Sequence, residues 1–241
     1  MKGFARTDIG KARDMNQDYH YIPSSENDLQ IYILADGMGG YNGGEIASKL
    51  AVQTVRDYIE NNFDKIEHTK EEILNMIKKS MENANSVVYE ESKKDDNLQG
   101  MGTTLDVCFI YNNKIYIGHV GDSRVYLIRK EIARKITKDH SYVQQLVEDK
   151  KITREEAEHH PKKNMLLKAL GCTSYVEPDI RARNIEKDDI FLMCSDGLTN
   201  MVEESKMYEV VEQYKEKAPE ILVNLANDAG GYDNITVITI I

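Results

Sequence analysis

The sequence predicts an α+β layered domain, and three observations carry that expectation. Strand-like runs rich in Ile, Val and Tyr follow one another through short turns, helical periodicity comes in blocks between those runs, and no strand–helix–strand alternation is present. Strands joined by short turns pair antiparallel, so the helices must pack as separate layers.

The first strong run is 31–35 (IYILA). Helical spacing then covers 45–62 and 70–93, each long enough for several turns of one apolar face. Three strands follow at 103–111, 114–119 and 124–128. Asn112-Asn113 between the first two suits a hairpin turn, because Asn tolerates positive φ. From His140 to Asn164 the chain is polar, with weak helical signal at 143–149 and 153–158. This stretch, taken with its exit as a segment of about 140–168, is either a flap over a site or an ordinary surface excursion, and the sequence leaves the two even. A strand at 190–194, helices at 203–217 and 220–229, and a last strand at 235–241 complete the order. Only four prolines occur and no repeat or low-complexity tract interrupts the chain, so 1–241 reads as one domain.

Charge and composition exclude several classes of function. The 241 residues carry 31 Lys plus Arg against 41 Asp plus Glu, a formal charge of −10, which repels a nucleic-acid backbone. A phosphorylated ligand would need positive charge supplied locally, by a metal or a few placed arginines. No apolar stretch approaches the about 20 residues that span a bilayer, and the start MKGFARTDIGKARD has no apolar core of a secretory signal. A cytoplasmic, membrane-free monomer is the expectation. Cys108, Cys172 and Cys194 are too few and too scattered for a disulfide framework or a thiolate metal site, and read as reduced core thiols.

Carboxylates at strand ends carry the chemistry. Asp36-Gly37 closes IYILADG, Asp196-Gly197 closes FLMCSDG, Asp233 precedes the last strand, Asp122 sits in VGDSR, and Asp18 lies shortly before the first run. Any one of them is adequately explained as a turn residue. Five meeting at one sheet edge would repel one another unless cations held them. An oxygen-only set suits magnesium or manganese, whereas zinc would call for His or Cys. A pair of such ions can share a water that loses its proton near neutral pH and attacks phosphorus. Arg13, five residues before Asp18, could clamp phosphate oxygens in a planar fork.

Rival phosphate chemistries fail on spacing. At the offset where a cysteine phosphatase needs Arg, the three cysteines are followed by Lys114, Pro178 and Asn200. No Asp-x-Asp pair is present, and the single Gly-Lys, Gly10-Lys11, lacks the P-loop Ser or Thr. Asp18-Tyr19-His20 imitates one motif of dinuclear metallophosphoesterases without its Gly-Asn-His partner. The adjacent His159 and His160 read as a solvated loop, since neighbouring side chains point apart.

The segments ARTDIGKARDMNQD, ADGMGGYNGGEIAS, MGTTL, HVGDSRVYLIR, TKDHS, KALG, CSDGL and GGYDNITVI stand in the order found in metal-dependent Ser/Thr phosphatases of the protein phosphatase 2C family, and the chain resembles its compact bacterial members. That resemblance implies a central sandwich of two antiparallel sheets flanked by pairs of helices, a four-layer αββα arrangement. It implies hydrolysis of phosphoserine and phosphothreonine in proteins with two Mn²⁺ or Mg²⁺ ions, and a Ser/Thr kinase that the enzyme opposes. By motif, Asp36 resembles the carboxylate bridging the two ions, and Gly37 lends one of them a backbone carbonyl. Asp196 and Asp233 match ligands of the first ion, and Asp18 a second-ion residue acting through water. Asp122 matches a residue associated with a third, weaker ion, and Arg13 the phosphate-binding arginine.

The sequence departs from the family pattern in four places. Met38 stands where many eukaryotic members carry the His that serves the leaving oxygen, which leaves the acid unassigned and His140 as a remote candidate. Gln17, Gly44 and Lys168 also replace commoner residues and read as tolerated variation. Two other functions are weighed on the same fold: a dedicated phosphatase for an anti-sigma antagonist, and a non-catalytic binder of phosphoproteins, which degenerate aspartates would favour.

Overall fold

Strands buried on both faces read as unbroken apolar runs, and β3 shows why. In the computed structural model, which describes all residues except 26, 27, 40–42 and 131, alternate side chains of this strand enter different cores. Ile31, Ile33 and Ala35 face a helical layer, while Tyr32 and Leu34 face the opposite sheet. Gly40, Tyr41 and Asn42 of the GMGGYN segment lie outside the described residues.

The elements in order are β1 (Gly3–Asp8), β2 (Asp18–Tyr21), β3 (Gln30–Met38), α1 (Gly43–Asn62), α2 (Lys70–Glu91), β4 (Gly102–Thr103), β5 (Leu105–Tyr111), β6 (Lys114–Val120), β7 (Arg124–Arg129) and β8 (Ile132–Lys135). They continue with α3 (Tyr142–Glu148), α4 (Arg154–Glu158), β9 (Asp179–Asn184), β10 (Ile190–Cys194), α5 (Asp196–Thr199), α6 (Glu204–Tyr214), α7 (Ala218–Asp228) and β11 (Ile235–Ile240).

One sheet has the order β1-β11-β10-β7-β8 and the other β2-β3-β5-β6-β9, with β4 paired to the end of β3. All pairs are antiparallel. Phe191, Met193, Ile238 and Val125 meet Tyr32, Leu34 and Ile117 between the sheets. Ala47, Val55, Ile77 and Met81 cover one outer face, and Val210, Val211, Leu222 and Val223 cover the other. The result is the expected four-layer α+β sandwich. Among the described residues, no helix is long and apolar enough to cross a membrane.

The strands without a sequence signal are β1, β2, β8 and β9, and these four are the edges of the two sheets. Edge strands are kept polar and charged, so IARK and DIRARN carry too few large apolar residues to stand out as strands. The run 103–111 divides at Thr104, whose hydroxyl pairs with that of Ser123. Asn112 and Asn113 do take positive φ, 46° and 55°, as the hairpin requires. The helix expected over 203–217 ends at Tyr214, because Lys215 turns to φ 48°.

Candidate metal centre

Pairing of the short strand β2 with β3 brings two carboxylates face to face. Asp18 stands directly opposite Asp36 in the register, where cross-strand side chains are neighbours and like charges are destabilising. The backbone of Asp36 is held twice by the β4–β5 junction: its N–H donates to Thr104 Oγ1 at 2.9 Å, and its carbonyl accepts from Thr104 N–H at 2.9 Å. Thr103 Oγ1 donates to the same carbonyl at 3.0 Å. This strand end therefore cannot swing.

Gly37 is required by a close approach. A Cβ there would fall 2.1 Å from the Gly44 carbonyl oxygen and 2.6 Å from that of Gln17. Gly44 in turn leaves room for Gly37 and for the Gln17 side chain, so the start of α1 can seat against the end of β3. Gly197 stands in the same relation to Asn234, whose carbonyl oxygen would lie 2.0 Å from its Cβ. Both glycines after the strand-end aspartates thus serve backbone packing, a cause the sequence did not reveal.

Asp196 and Asp233 arrive from the other sheet, at the end of β10 and just before β11. The carboxyls of Asp36 and Asp196 lie close enough to perturb one another, and Asp196 accepts from Asn200 Nδ2 at 3.1 Å. Asp233 Oδ2 accepts from Arg13 Nη2 at 2.8 Å. The loop carrying Arg13 is stitched beside it, with Lys11 N–H donating to the Gly231 carbonyl at 2.7 Å. Asp122 enters from the β6–β7 turn, close enough to Asp196 to feel its charge. All seven residues expected from the sequence therefore gather at one end of the sandwich.

Their titration records the crowding. Burial first, then repulsion from Asp196 and Asp233, pushes Asp18 up to about 7, although Thr236 and Ser195 partly offset this. Asp122 is also pushed up to about 7, by burial and then by Asp196 and Asp139. Asp36 lies well above the usual carboxylate range, through burial and then Asp18 and Asp196, and Asp196 is raised through burial and then Asp233. The Arg13 guanidinium is held protonated by its hydrogen bond to Asp233.

This donor set fits hard divalent cations. Asp18 Oδ1 is buried without a hydrogen-bond partner, an oxygen that a cation or its water would satisfy. Among the described residues, no three His, Cys, Asp or Glu side chains already stand tightly enough to enclose an ion. One oxygen each of Asp18, Asp196 and Asp233 is engaged by Ser195, Asn200 and Arg13, so loading would compete with those contacts.

Sequence reasoning missed the residues that hold the carboxylates. Buried Ser195 donates to Asp18 Oδ2 at 2.8 Å and accepts from Thr236 N–H at 2.9 Å, linking the two sheets at the site. Asn234 accepts from Gln17 N–H at 2.8 Å and donates to the Ile9 and Met15 carbonyls, both at 2.9 Å, which fixes the Arg13 loop. Each lies next to a singled-out aspartate, and that adjacency was the available signal. His140 is only 8% exposed, and both ring nitrogens are engaged, by Gly121 N–H and by Asp179. It is kept neutral, its pKa lowered to about 4 by burial and then by His119 and Lys168. His160 caps a turn at Lys162 N–H and His159 is exposed, in keeping with a solvated loop.

A two-sheet sandwich between helix pairs, with an all-oxygen acidic cluster and one arginine at its rim, is the architecture of a metal-dependent phosphatase. The chain belongs to the protein phosphatase 2C family: the profile described as Protein phosphatase 2C matches residues 10–227. Serine/threonine phosphatase stp of Listeria monocytogenes serotype 4b is 40% identical over 240 residues, spanning 98% of this chain and 93% of that protein. The Mycobacterium tuberculosis serine/threonine phosphatase PstP/Ppp shares the fold with a TM-score of 0.88 and 33% identity, over 99% of this chain and 97% of that one. A structure of the catalytic domain of PstP in complex with two manganese ions gives 0.85 at 32% identity, over 99% and 96%. This protein is accordingly a hydrolase, a protein phosphatase of the 2C type.

Proposed function

We propose that this protein phosphatase removes phosphate from phosphoserine and phosphothreonine using two Mn²⁺ or Mg²⁺ ions, with Asp36 shared between them. The observation that carries the reading is the placement of Asp36 between Asp18 across the strand pair and Asp196 from the other sheet. Asp196, Asp233 and the Gly37 carbonyl would hold the first ion, Asp18 the second through water, and Asp122 a third. The manganese pair bound by the related PstP domain supports the two-ion part of this reading. When bound, such cations supply charge neutralisation at the phosphoryl group and a water acidic enough to attack phosphorus.

The side chains of this chain do the remaining work. Arg13 is half exposed and engages Asp233 through one amino group, which leaves N–H donors to orient phosphoryl oxygens toward the carboxylate cluster. Ser195 and Thr104 keep Asp18 and Asp36 in place while charge develops. Met38 has no proton to give, and the His140 ring is occupied on both nitrogens, so solvent is assigned the protonation of the leaving oxygen.

A groove of about 1250 Å³ runs from Asp122 and Asp196 along the 140–168 segment, and we assign it to the chain flanking the phosphorylated residue. The segment is then a flap within one catalytic domain. A Ser/Thr kinase must supply the substrates. Cys108 and Cys194 are buried thiols as expected, whereas Cys172 is exposed and not part of the core; free thiols of both kinds agree with a reducing, cytoplasmic setting, where the enzyme would act as a monomer. A non-catalytic phosphoprotein binder is not favoured, since every expected carboxylate is present.

The test is hydrolysis of a phosphothreonine peptide with manganese, repeated after chelation and with Asp36→Asn. Loss of about 100-fold or more is expected in both arms. Turnover that survives both would sink the assignment.

A further inference from the structure

We propose that Tyr232 is a specificity-determining residue, whose exposed ring receives an apolar side chain of the substrate one or two places from the phosphorylated residue. The inference rests on the phosphoryl-binding role given to Arg13 above. Tyr232 is 65% exposed, the most exposed large hydrophobic side chain among the described residues, and its hydroxyl has no hydrogen-bond partner among them. A single apolar group in water needs no explanation by itself. Position and rigidity set this one apart.

Its neighbour in the chain, Asp233, accepts from Arg13 Nη2 at 2.8 Å. Lys11 and Ala12 N–H donate to the Gly231 carbonyl at 2.7 and 3.1 Å, and Asn234 Nδ2 donates to the Ile9 carbonyl at 2.9 Å. Gly10 sits so near that a Cβ there would lie 2.2 Å from the Asp233 carbonyl oxygen. The Arg13 loop and the Tyr232 turn are therefore one unit. Consecutive Cα atoms stand about 3.8 Å apart and an extended chain advances about 3.3–3.6 Å per residue, so the ring is within reach of the first or second residue beside a phosphoryl group held by Arg13. The groove assigned above starts at Asp122 and Asp196, and neither Arg13 nor Tyr232 lines it. A substrate chain that enters the groove on one side of the centre leaves past Tyr232 on the other.

The ring is also held in place. It rests against Gly230, at φ +137°, so closely that a Cβ there would fall 2.5 Å from the ring carbon Cε2 and 2.8 Å from Cζ. Gly230 and Gly231 N–H donate to the Asn227 and Ala226 carbonyls at 3.1 and 3.0 Å, which anchors the turn to the end of α7. A tyrosine with two torsions, laid on backbone, loses little freedom when a partner covers its other face. Charge on the joined loop is already engaged, since Lys11 Nζ lies 3.9 Å from Asp228, and Ile9, 37% exposed, adds a second apolar side chain to that loop. An apolar substrate residue therefore suits this rim better than a charged one.

The experiment measures kcat/KM with manganese for wild type, Tyr232→Ala and Tyr232→Phe on phosphothreonine peptides. Each peptide carries one leucine at one of the two positions before or the two positions after the phosphorylated residue, with glycine at the others. An all-glycine peptide and p-nitrophenyl phosphate, which has no flanking chain, are run alongside. In wild type, leucine at one or more positions should raise kcat/KM by about 10-fold, through KM. Tyr232→Ala should erase that gain and Tyr232→Phe should keep it. The proposal is overturned if wild type shows no leucine gain at any position, if the alanine variant keeps the gain, or if the phenylalanine variant loses it. An alanine variant that loses the same factor on every substrate, p-nitrophenyl phosphate included, would also overturn it, since Tyr232 would then only seat Asp233 and Arg13. Should wild type hydrolyse none of these substrates, the phosphatase reading itself fails and takes the contact with it; hydrolysis of all of them without a leucine gain refutes the Tyr232 contact alone.

Discussion

Replacing Asp18 by Asn should stabilise the cation-free protein near pH 8 while removing much of its stabilisation by manganese. Asp18 is 6% exposed, one of its oxygens has no partner, and its carboxyl is pushed up to about 7, first by burial and then by its acidic neighbours. A rise from 3.8 to about 7 is roughly three pK units, a ceiling of about 4 kcal/mol against the folded state. The sign follows from proton binding. The unfolded carboxyl ionises above 3.8 while the folded one keeps its proton to about 7, so stability falls as pH rises through that window and the penalty is complete above it. Asn removes the charge and can still accept from Ser195, but it sets an amino group where Oδ1 lacks a partner, a cost of about 1–3 kcal/mol. The net expectation is a gain of about 1–3 kcal/mol, read by urea unfolding in chelator near pH 8, shrinking toward pH 5. With manganese at about 100 times Kd the wild type should gain about 2.7 kcal/mol, and the variant clearly less. A variant less stable than wild type in chelator near pH 8, or a difference that does not change with pH, would refute the reasoning.

Three further outcomes follow from other contacts. Burial alone would raise Asp139, but Arg124 and Lys135 hold it below the usual carboxylate range, so its contribution is present above about pH 4 and lost as pH falls through the folded value. Asp139→Asn should cost about 2–4 kcal/mol at neutral pH and flatten acid unfolding; an unchanged acid transition would count against the pair. Arg13→Ala should raise KM for a phosphopeptide by about 10-fold with kcat largely kept, and a pure kcat loss would place the guanidinium in the transition state instead. Deleting 148–158 should impair a phosphoprotein substrate more than p-nitrophenyl phosphate, whereas equal losses would reject the groove as a recognition surface.

The central strands and long helices were legible because a strand buried on both faces and a helix buried on one must carry those apolar patterns. The edge strands were not, since IARK and DIRARN are polar by the same necessity that keeps sheet edges from pairing with other chains. Among site residues, the aspartates stood out as acidic groups at strand ends. Ser195 and Asn234 did not, because a serine or asparagine acquires its role only when a particular backbone group arrives beside it, and those groups come from 41 and 225 residues away.

From the linear chain alone came the α+β layering, the acidic oxygen-only donor set with its preference for hard cations, and the family resemblance. These depend on local periodicity and on side-chain chemistry, which a chain carries before it folds. Only the tertiary structure decided that Asp18 faces Asp36, that Gly37 must be glycine because the Gly44 carbonyl presses on it, and that His140 is spent on Gly121 and is not free for catalysis. Those outcomes depend on register and on the approach of distant backbones, which are set when two sheets close on one another and are written in no single stretch of sequence.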